Sequence, residues 1–164
     1  MLSKIESGDA PKRVLSEIAL TDLIKEVLEG LSEKAQSRNI TMTIEGSATL
    51  TADQMMIFEL IENLVSNAIK YNKDGGSITI TVEETANSVS LKVKDTGIGI
   101  EKEHLPRLCE RFYRVDTSHS KRIGGTGLGL AIVKHICALT NAELSIDSNF
   151  GVGTTVTVFF RKNS

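Results

Sequence analysis

Residues 59–72, Glu59-Leu60-Ile61-Glu62-Asn63-Leu64-Val65-Ser66-Asn67-Ala68-Ile69-Lys70-Tyr71-Asn72, read as a helix with one apolar face. Apolar side chains at 57, 60, 61, 64, 65 and 68 follow the spacing of a buried helical stripe. At about 100° per residue, Glu59, Asn63, Asn67 and Lys70 share an arc of about 80° beside that stripe. Asn is a poor helix former, because its side chain competes for backbone hydrogen bonds. Two asparagines one turn apart at the rim of a core fit two readings. They are surface amides with no task, or they offer a carbonyl oxygen to a hard cation, with Lys70 near a phosphate.

Working outward, Asp53 is placed to cap this helix, and the pattern ends near Tyr71 and Asn72. Upstream, Thr21 to Arg38 predicts a second helix, with Thr21 as its cap and Leu23, Ile24, Val27, Leu28, Leu31 and Ala35 facing inward. Ile40 to Ile44 alternates as a strand, Thr49 to Ala52 reads as a weaker one, and Glu17 to Ala19 as a short extended piece. Downstream, Lys73-Asp74-Gly75-Gly76 is a turn. Ser77 to Glu83 and Val89 to Lys94 predict an antiparallel hairpin. Glu101 to Arg111 is a short helical segment, and Arg114 to Gly125 reads as a mobile loop. Gly127 to Thr140 predicts a helix with Leu130, Ile132, Val133, Ile136, Cys137 and Leu139 inward; Glu143 to Ser148 and Thr154 to Arg161 are strands joined by a glycine turn. The expected fold is α/β in two layers: a mixed sheet of about five strands with three main helices on one face.

Composition narrows the partners. With 164 residues the chain can bury a core of its own, and at 40% hydrophobic and 24% charged it falls in the ordinary globular range. With a net charge of −2, nothing recommends nucleic acid as a partner. Cys109 and Cys137 stand alone in apolar segments, fit neither a zinc pattern nor a disulfide framework, and read as buried reduced thiols. No run of about 18 apolar residues spans a membrane, and no leader of signal-peptide type is present.

Three further stretches carry chemistry. Gly125-Thr126-Gly127-Leu128-Gly129-Leu130 leads into a helix, where free amides and the helix dipole can attract a phosphate; an ordinary glycine turn has the same look. It lacks the dinucleotide spacing, and no Walker lysine occurs. Asp95 closes a strand just before Gly97 and Gly99; it either starts a turn or accepts from an exocyclic amine such as that of adenine. Gly151 and Gly153 punctuate the last hairpin.

Taken together and in order, these stretches resemble the ATP-binding catalytic domain of sensor histidine kinases, in the ATPase superfamily shared with gyrase and MutL. Asn63, Asn67-Ala68, Lys70 and Tyr71 look like the N box, Asp95-Thr96-Gly97-Ile98-Gly99 like the G1 box, Arg111-Phe112-Tyr113-Arg114-Val115-Asp116 like the F box, and Gly125 to Leu130 like the G2 box. The match runs over about residues 20 to 161 and implies a Bergerat-type ATP-binding fold. By this resemblance Asn67 would bind the Mg²⁺ that bridges the ATP phosphates, and Asn63 would support metal waters or phosphates. Lys70 would contact phosphate and Tyr71 pack on the nucleotide. Asp95 would take the adenine amine, with Gly97 and Gly99 opening the pocket. Phe112 would anchor a lid and Arg114 reach toward the γ-phosphate. Gly125, Thr126, Gly127, Leu128 and Gly129 would cradle the phosphates, and Thr154 would sit near adenine.

The resemblance also implies what lies elsewhere. Such kinases phosphorylate a histidine on a separate dimerising helical domain, and none of His104, His119 and His135 has the neighbours of that acceptor. Residues 1–16 are therefore expected to hold the end of that upstream helix plus a linker, and 17–164 the catalytic domain. The implied partners are ATP, the histidine-bearing domain of the same kinase and a downstream response regulator. The chain itself is expected as a monomer in a homodimeric parent, cytoplasmic, in a kinase of a kind often anchored in the membrane. Two other readings share the nucleotide fold: an anti-sigma-type serine kinase, and an ATP-dependent conformational switch without transfer. Arg111-Phe112-Tyr113-Arg114 and the upstream helical stub favour the histidine kinase.

Overall fold

The computed structural model describes residues 14–97, 129–149 and 151–162. Their element order is β1 (Leu15–Ala19), α1 (Leu20–Ser37), β2 (Thr41–Gly46), β3 (Thr49–Asp53), α2 (Gln54–Lys70), β4 (Ser77–Glu84), β5 (Ser88–Asp95), α3 (Gly129–Leu139), β6 (Ala142–Asn149) and β7 (Gly153–Arg161). Five strands form one sheet in the order β2-β4-β5-β7-β6. β2 runs parallel to β4 and every other pairing is antiparallel, so the sheet is mixed as expected. The three helices pack on one another and on this sheet as the second layer. The expected two-layer α/β fold is the observed one.

α2 is the central helix. Asp53 caps it, accepting from the Met55 and Met56 amides at 3.0 and 3.3 Å. All six positions of the predicted stripe, Ile57, Leu60, Ile61, Leu64, Val65 and Ala68, are buried. α1 buries Leu23, Ile24, Val27, Leu31 and Ala35 as predicted, with Leu28 packed at the margin of the core.

Three local expectations need correction. Thr21 does not cap α1. The helix starts at Leu20, which is fully buried and donates its amide to the Ala48 carbonyl at 3.0 Å. The chain thus enters the helix directly from β1, and the Thr21 hydroxyl donates instead to the Gly46 carbonyl at 3.2 Å. The short extended piece is longer than 17–19: β1 begins at Leu15 and pairs with β3 in a separate two-stranded sheet, Leu15 opposite Asp53 and Ala19 opposite Thr49. Few inward residues mark this pair, chiefly Ile18, Leu50 and Ala52, so its alternation is faint in sequence. Leu139, expected inward, is exposed where α3 ends; Val133, Ile136 and Cys137 are buried.

The register of the sheet stacks its inward side chains in cross-strand rows. Leu144, Val158, Leu91 and Val82 form one row. Ile146, Val156, Val93 and Ile80 form the next. One step further the row becomes Ser148, Thr154, Asp95 and Ile78. The apolar floor under the helices therefore turns polar at one end, beside the C-terminal end of α2.

Candidate nucleotide site

Asp95 occupies a place where the period-two pattern of β5 calls for another aliphatic side chain. Val89, Leu91 and Val93 point inward, and Asp95 follows them, 8% exposed. One carboxylate oxygen, Oδ1, accepts from the Gly97 amide at 2.9 Å and the Thr154 amide at 3.2 Å. Among the described residues no donor meets Oδ2. Burial pushes the Asp95 carboxyl above the usual carboxylate range, and the two backbone donors offset only part of that rise. A carboxylate held this way keeps one oxygen as an acceptor that no described residue satisfies.

Glycine brings the end of α2 onto this carboxylate. A Cβ on Gly97 would lie 2.2 Å from the Tyr71 carbonyl oxygen, 2.9 Å from the Asn72 Cα and 3.0 Å from Asp95 Oδ1. Two of those neighbours are backbone, so only glycine allows the approach. Gly153 does the same from β7, where a Cβ would meet the Asp95 carbonyl oxygen at 2.1 Å. Beside it the Thr154 and Ser148 hydroxyls are 2.9 Å apart, and Ser148 Oγ also donates to the Gly153 carbonyl at 3.0 Å.

Four of the predicted residues, Tyr71, Asp95, Gly97 and Thr154, therefore meet at one place. Lys70 is the last residue of α2, and Asn67 lies one turn upstream, its carbonyl accepting the Tyr71 amide at 3.0 Å. Asn63, Asn67, Lys70 and Tyr71 are each partly exposed. The Asn63 amide nitrogen donates to its own helix at the Glu59 carbonyl, 2.7 Å away, which leaves its oxygen for other partners. Asn67 has no side-chain hydrogen bond among the described residues, and no cluster of three His, Cys, Asp or Glu side chains occurs there. One amide oxygen and a nucleotide's phosphates suit Mg²⁺, which keeps most of its water and takes few protein ligands. Gly129 opens α3. Gly99, Phe112, Arg114, Gly125, Thr126, Gly127 and Leu128, with Cys109, His104, His119 and residues 1–13 of the expected upstream segment, lie outside the described residues, whereas Leu15 and Ser16 of that segment belong to β1. His135 is exposed on α3.

Sequence reasoning missed the buried polar latch under the site. Asn72 is 4% exposed. Its amide donates to the Ser77 carbonyl at 3.1 Å, and its oxygen accepts from the Lys73 amide at 2.9 Å and the Thr96 hydroxyl at 3.3 Å. Thr96 Oγ1 in turn accepts the Ser77 amide at 2.9 Å. Gly76 completes it, since a Cβ there would meet Asn72 Oδ1 at 2.4 Å. The available signal was an Asn directly after an apolar stripe and a Thr inside a glycine motif. Each is also ordinary turn chemistry. Arg38 reads in sequence only as a cation near the end of α1, and its reach to the end of α2 was missed as well.

Residues 52–164 match the family described as histidine kinase-, DNA gyrase B- and HSP90-like ATPases. The chain is 40% identical over 162 residues to the phosphate regulon sensor protein PhoR of Pseudomonas aeruginosa, covering 98% of this chain and 36% of that protein. It is 35% identical over 146 residues to the sensor-like histidine kinase SenX3 of Mycolicibacterium smegmatis, covering 88% of this chain and 38% of the relative. The chain thus spans little more than a third of the length of these relatives. Among solved structures, a nucleotide-free catalytic domain of the histidine kinase ThkA superposes with a TM-score of 0.79 at 26% identity, covering 92% of this chain and 99% of that one. With residues 52–164 matched to its model, the chain belongs to the histidine kinase-, DNA gyrase B- and HSP90-like ATPase family, and along nearly its whole length it is similar to sensor histidine kinases and to a histidine kinase catalytic domain.

Proposed function

We propose that this domain binds Mg–ATP between the end of α2 and the polar end of the sheet, and donates the γ-phosphoryl group to a histidine on a separate dimerising domain. The observation that carries the reading is Asp95: a carboxylate in an apolar row, one oxygen held by two backbone amides and the other met by no donor among the described residues. An adenine amine fits that oxygen as a donor. Thr154 lies beside the base, and Tyr71 packs against the nucleotide. Asn67 holds the Mg²⁺ that travels with ATP, Asn63 supports its waters or the phosphates, and Lys70 adds positive charge to the phosphate side. The ion supplies charge neutralisation at the phosphates.

Phosphoryl transfer demands positioning and charge more than covalent help. In this reading the imidazole nitrogen of the partner attacks the γ-phosphorus as its bond to the bridging oxygen breaks, and ADP leaves with the electron pair. Arg114, Phe112 and the glycines from Gly125 to Gly129, with Gly99, complete the phosphate side and the lid as the family resemblance implies. The segment ahead of β1 leads in from the acceptor domain, and a response regulator receives the phosphoryl group afterwards. No helix among the described residues is long and apolar enough to cross a membrane. A cytoplasmic site of action is part of the proposal.

The test is transfer from labelled ATP to an added histidine-bearing helical domain of such a kinase. The expected product is acid-labile phosphate on that domain, with little label on this chain. Acid-stable phosphoserine would make it a serine kinase. Nucleotide binding without transfer would leave an ATP-dependent switch.

A further inference from the structure

Helix α2 ends without the left-handed glycine that closes many helices. Its C-cap is Tyr71 at φ −98°, and the next positive-φ glycine is Gly75. The last carbonyls of a helix need donors, and they form the negative end of its dipole. Here they receive a guanidinium from another element. Arg38, the C-cap of α1, donates Nη1 to the Ile69 carbonyl and, at 3.3 Å, to the Lys70 carbonyl. Its Nη2 donates to the Asn72 carbonyl, and its Nε meets Asp74 Oδ1 at 2.9 Å. The Arg38 carbonyl accepts the Gly75 amide at 2.9 Å. Residues 69–75 are thus folded around one arginine, through both its side chain and its backbone.

We infer that Arg38 is a positioning residue for the phosphate side of the nucleotide site. The inference rests on the Mg–ATP reading above. The body of α2 is fixed by eight buried apolar side chains from Met56 to Ile69, and Arg38 is not needed for that. What Arg38 holds is the last turn and the exit from it, the part that presents Lys70 and Tyr71 and sits one turn beyond Asn67. The same exit carries Asn72, whose Cα lies against Gly97. Several acceptors arranged around one planar fork suit arginine; a lysine ammonium concentrates its donors at a single point. Asp74 is 79% exposed and meets only Nε, so it trims the arrangement rather than making it.

The experiment titrates the whole chain, as wild type, Arg38→Ala, Arg38→Lys and Asp74→Ala, with Mg–ATP and with ATP in EDTA, well below each melting temperature. Arg38→Ala is expected to weaken Mg–ATP binding about tenfold and metal-free ATP binding less than about threefold, because the loss falls on the metal and phosphate end. Arg38→Lys is expected to lose about fivefold for Mg–ATP while keeping its charge, and Asp74→Ala less than about twofold. If Arg38→Ala does not fold, Arg38→Lys decides alone. A lysine variant that binds Mg–ATP like wild type overturns the inference. So do variants whose melting temperature falls while affinity holds, or whose affinity falls equally with and without Mg²⁺, since either result reports a structural role only. Wild type that binds no Mg–ATP at all overturns the nucleotide reading itself, and the inference with it.

Discussion

The β4–β5 hairpin carries a carboxylate near each end, and the two are treated oppositely. Glu84 closes β4. Its Oε2 pairs with Lys162 Nζ at 2.6 Å, its Oε1 accepts the Thr49 amide at 2.8 Å, and it remains in contact with water. The lysine hydrogen bond, helped by the Thr49 amide, holds its carboxyl below the usual carboxylate range. Asp95 closes β5 at the other end. It is buried, has no cation beside it among the described residues, and has its pKa raised chiefly by that burial. One carboxylate ties Lys162, just after β7, to the first residue of β3. The other is buried with its pKa raised, which costs stability at neutral pH.

Breaking the functional end has the largest expected effects. Gly97→Ala forces a Cβ against the Tyr71 and Asn72 backbone. It should cost roughly 1–3 kcal/mol of stability and abolish measurable nucleotide binding, read by urea titration and by fluorescent-nucleotide binding. Asp95→Asn keeps Oδ1 as an acceptor for Gly97 and Thr154 but offers an amine where an adenine amine would come. A lost hydrogen bond to a charged group is worth about 2 kcal/mol, a weakening of about thirtyfold. The apo melting temperature should hold or rise. Asn67→Ala should weaken Mg–ATP binding about tenfold with the melting temperature unchanged, since that side chain serves no core contact. At the structural end, Glu84→Gln should leave nucleotide affinity untouched and lower the melting temperature slightly, a difference that high salt removes.

Acid should separate the two ends by sign. Folding raises the Asp95 pKa, so the native state binds that proton more tightly than the unfolded chain. Its penalty is present at neutral pH and is relieved as pH falls through the raised folded value toward the usual carboxylate range. Folding lowers the Glu84 pKa, so its stabilisation is present above the usual carboxylate range and is lost as pH falls through the lowered folded value. Stability against pH for Asp95→Asn should therefore lack the first contribution and keep the second, while Glu84→Gln does the reverse.

Much of this was legible in the residues. The stripe of α2, the Asp53 cap, the two hairpins and the two-layer class all follow from period and turn chemistry. Asp95 was visible as an acidic residue before two glycines. That it ends an inward row required the register of β5 against β4 and the Asp95–Thr154 bond, which no single strand contains. The β1–β3 pair was faint because five-residue strands with few inward positions carry little alternation. Arg38 and the Asn72–Thr96–Ser77 latch were hidden for a different reason. They are partnerships between side chains and backbone carbonyls or amides, spanning from 5 to 32 residues, and backbone groups leave no mark in a sequence.

The claim on which the account turns is that the free oxygen of Asp95 reads the amine of adenine. Calorimetric titration of wild type and Asp95→Asn with Mg–ATP and Mg–GTP tests it, because guanine presents a carbonyl oxygen where adenine presents that amine. The account predicts that wild type prefers ATP by at least about tenfold and that the variant loses the preference by losing ATP affinity. Equal binding of both nucleotides by wild type, or an undiminished preference in the variant, would contradict it.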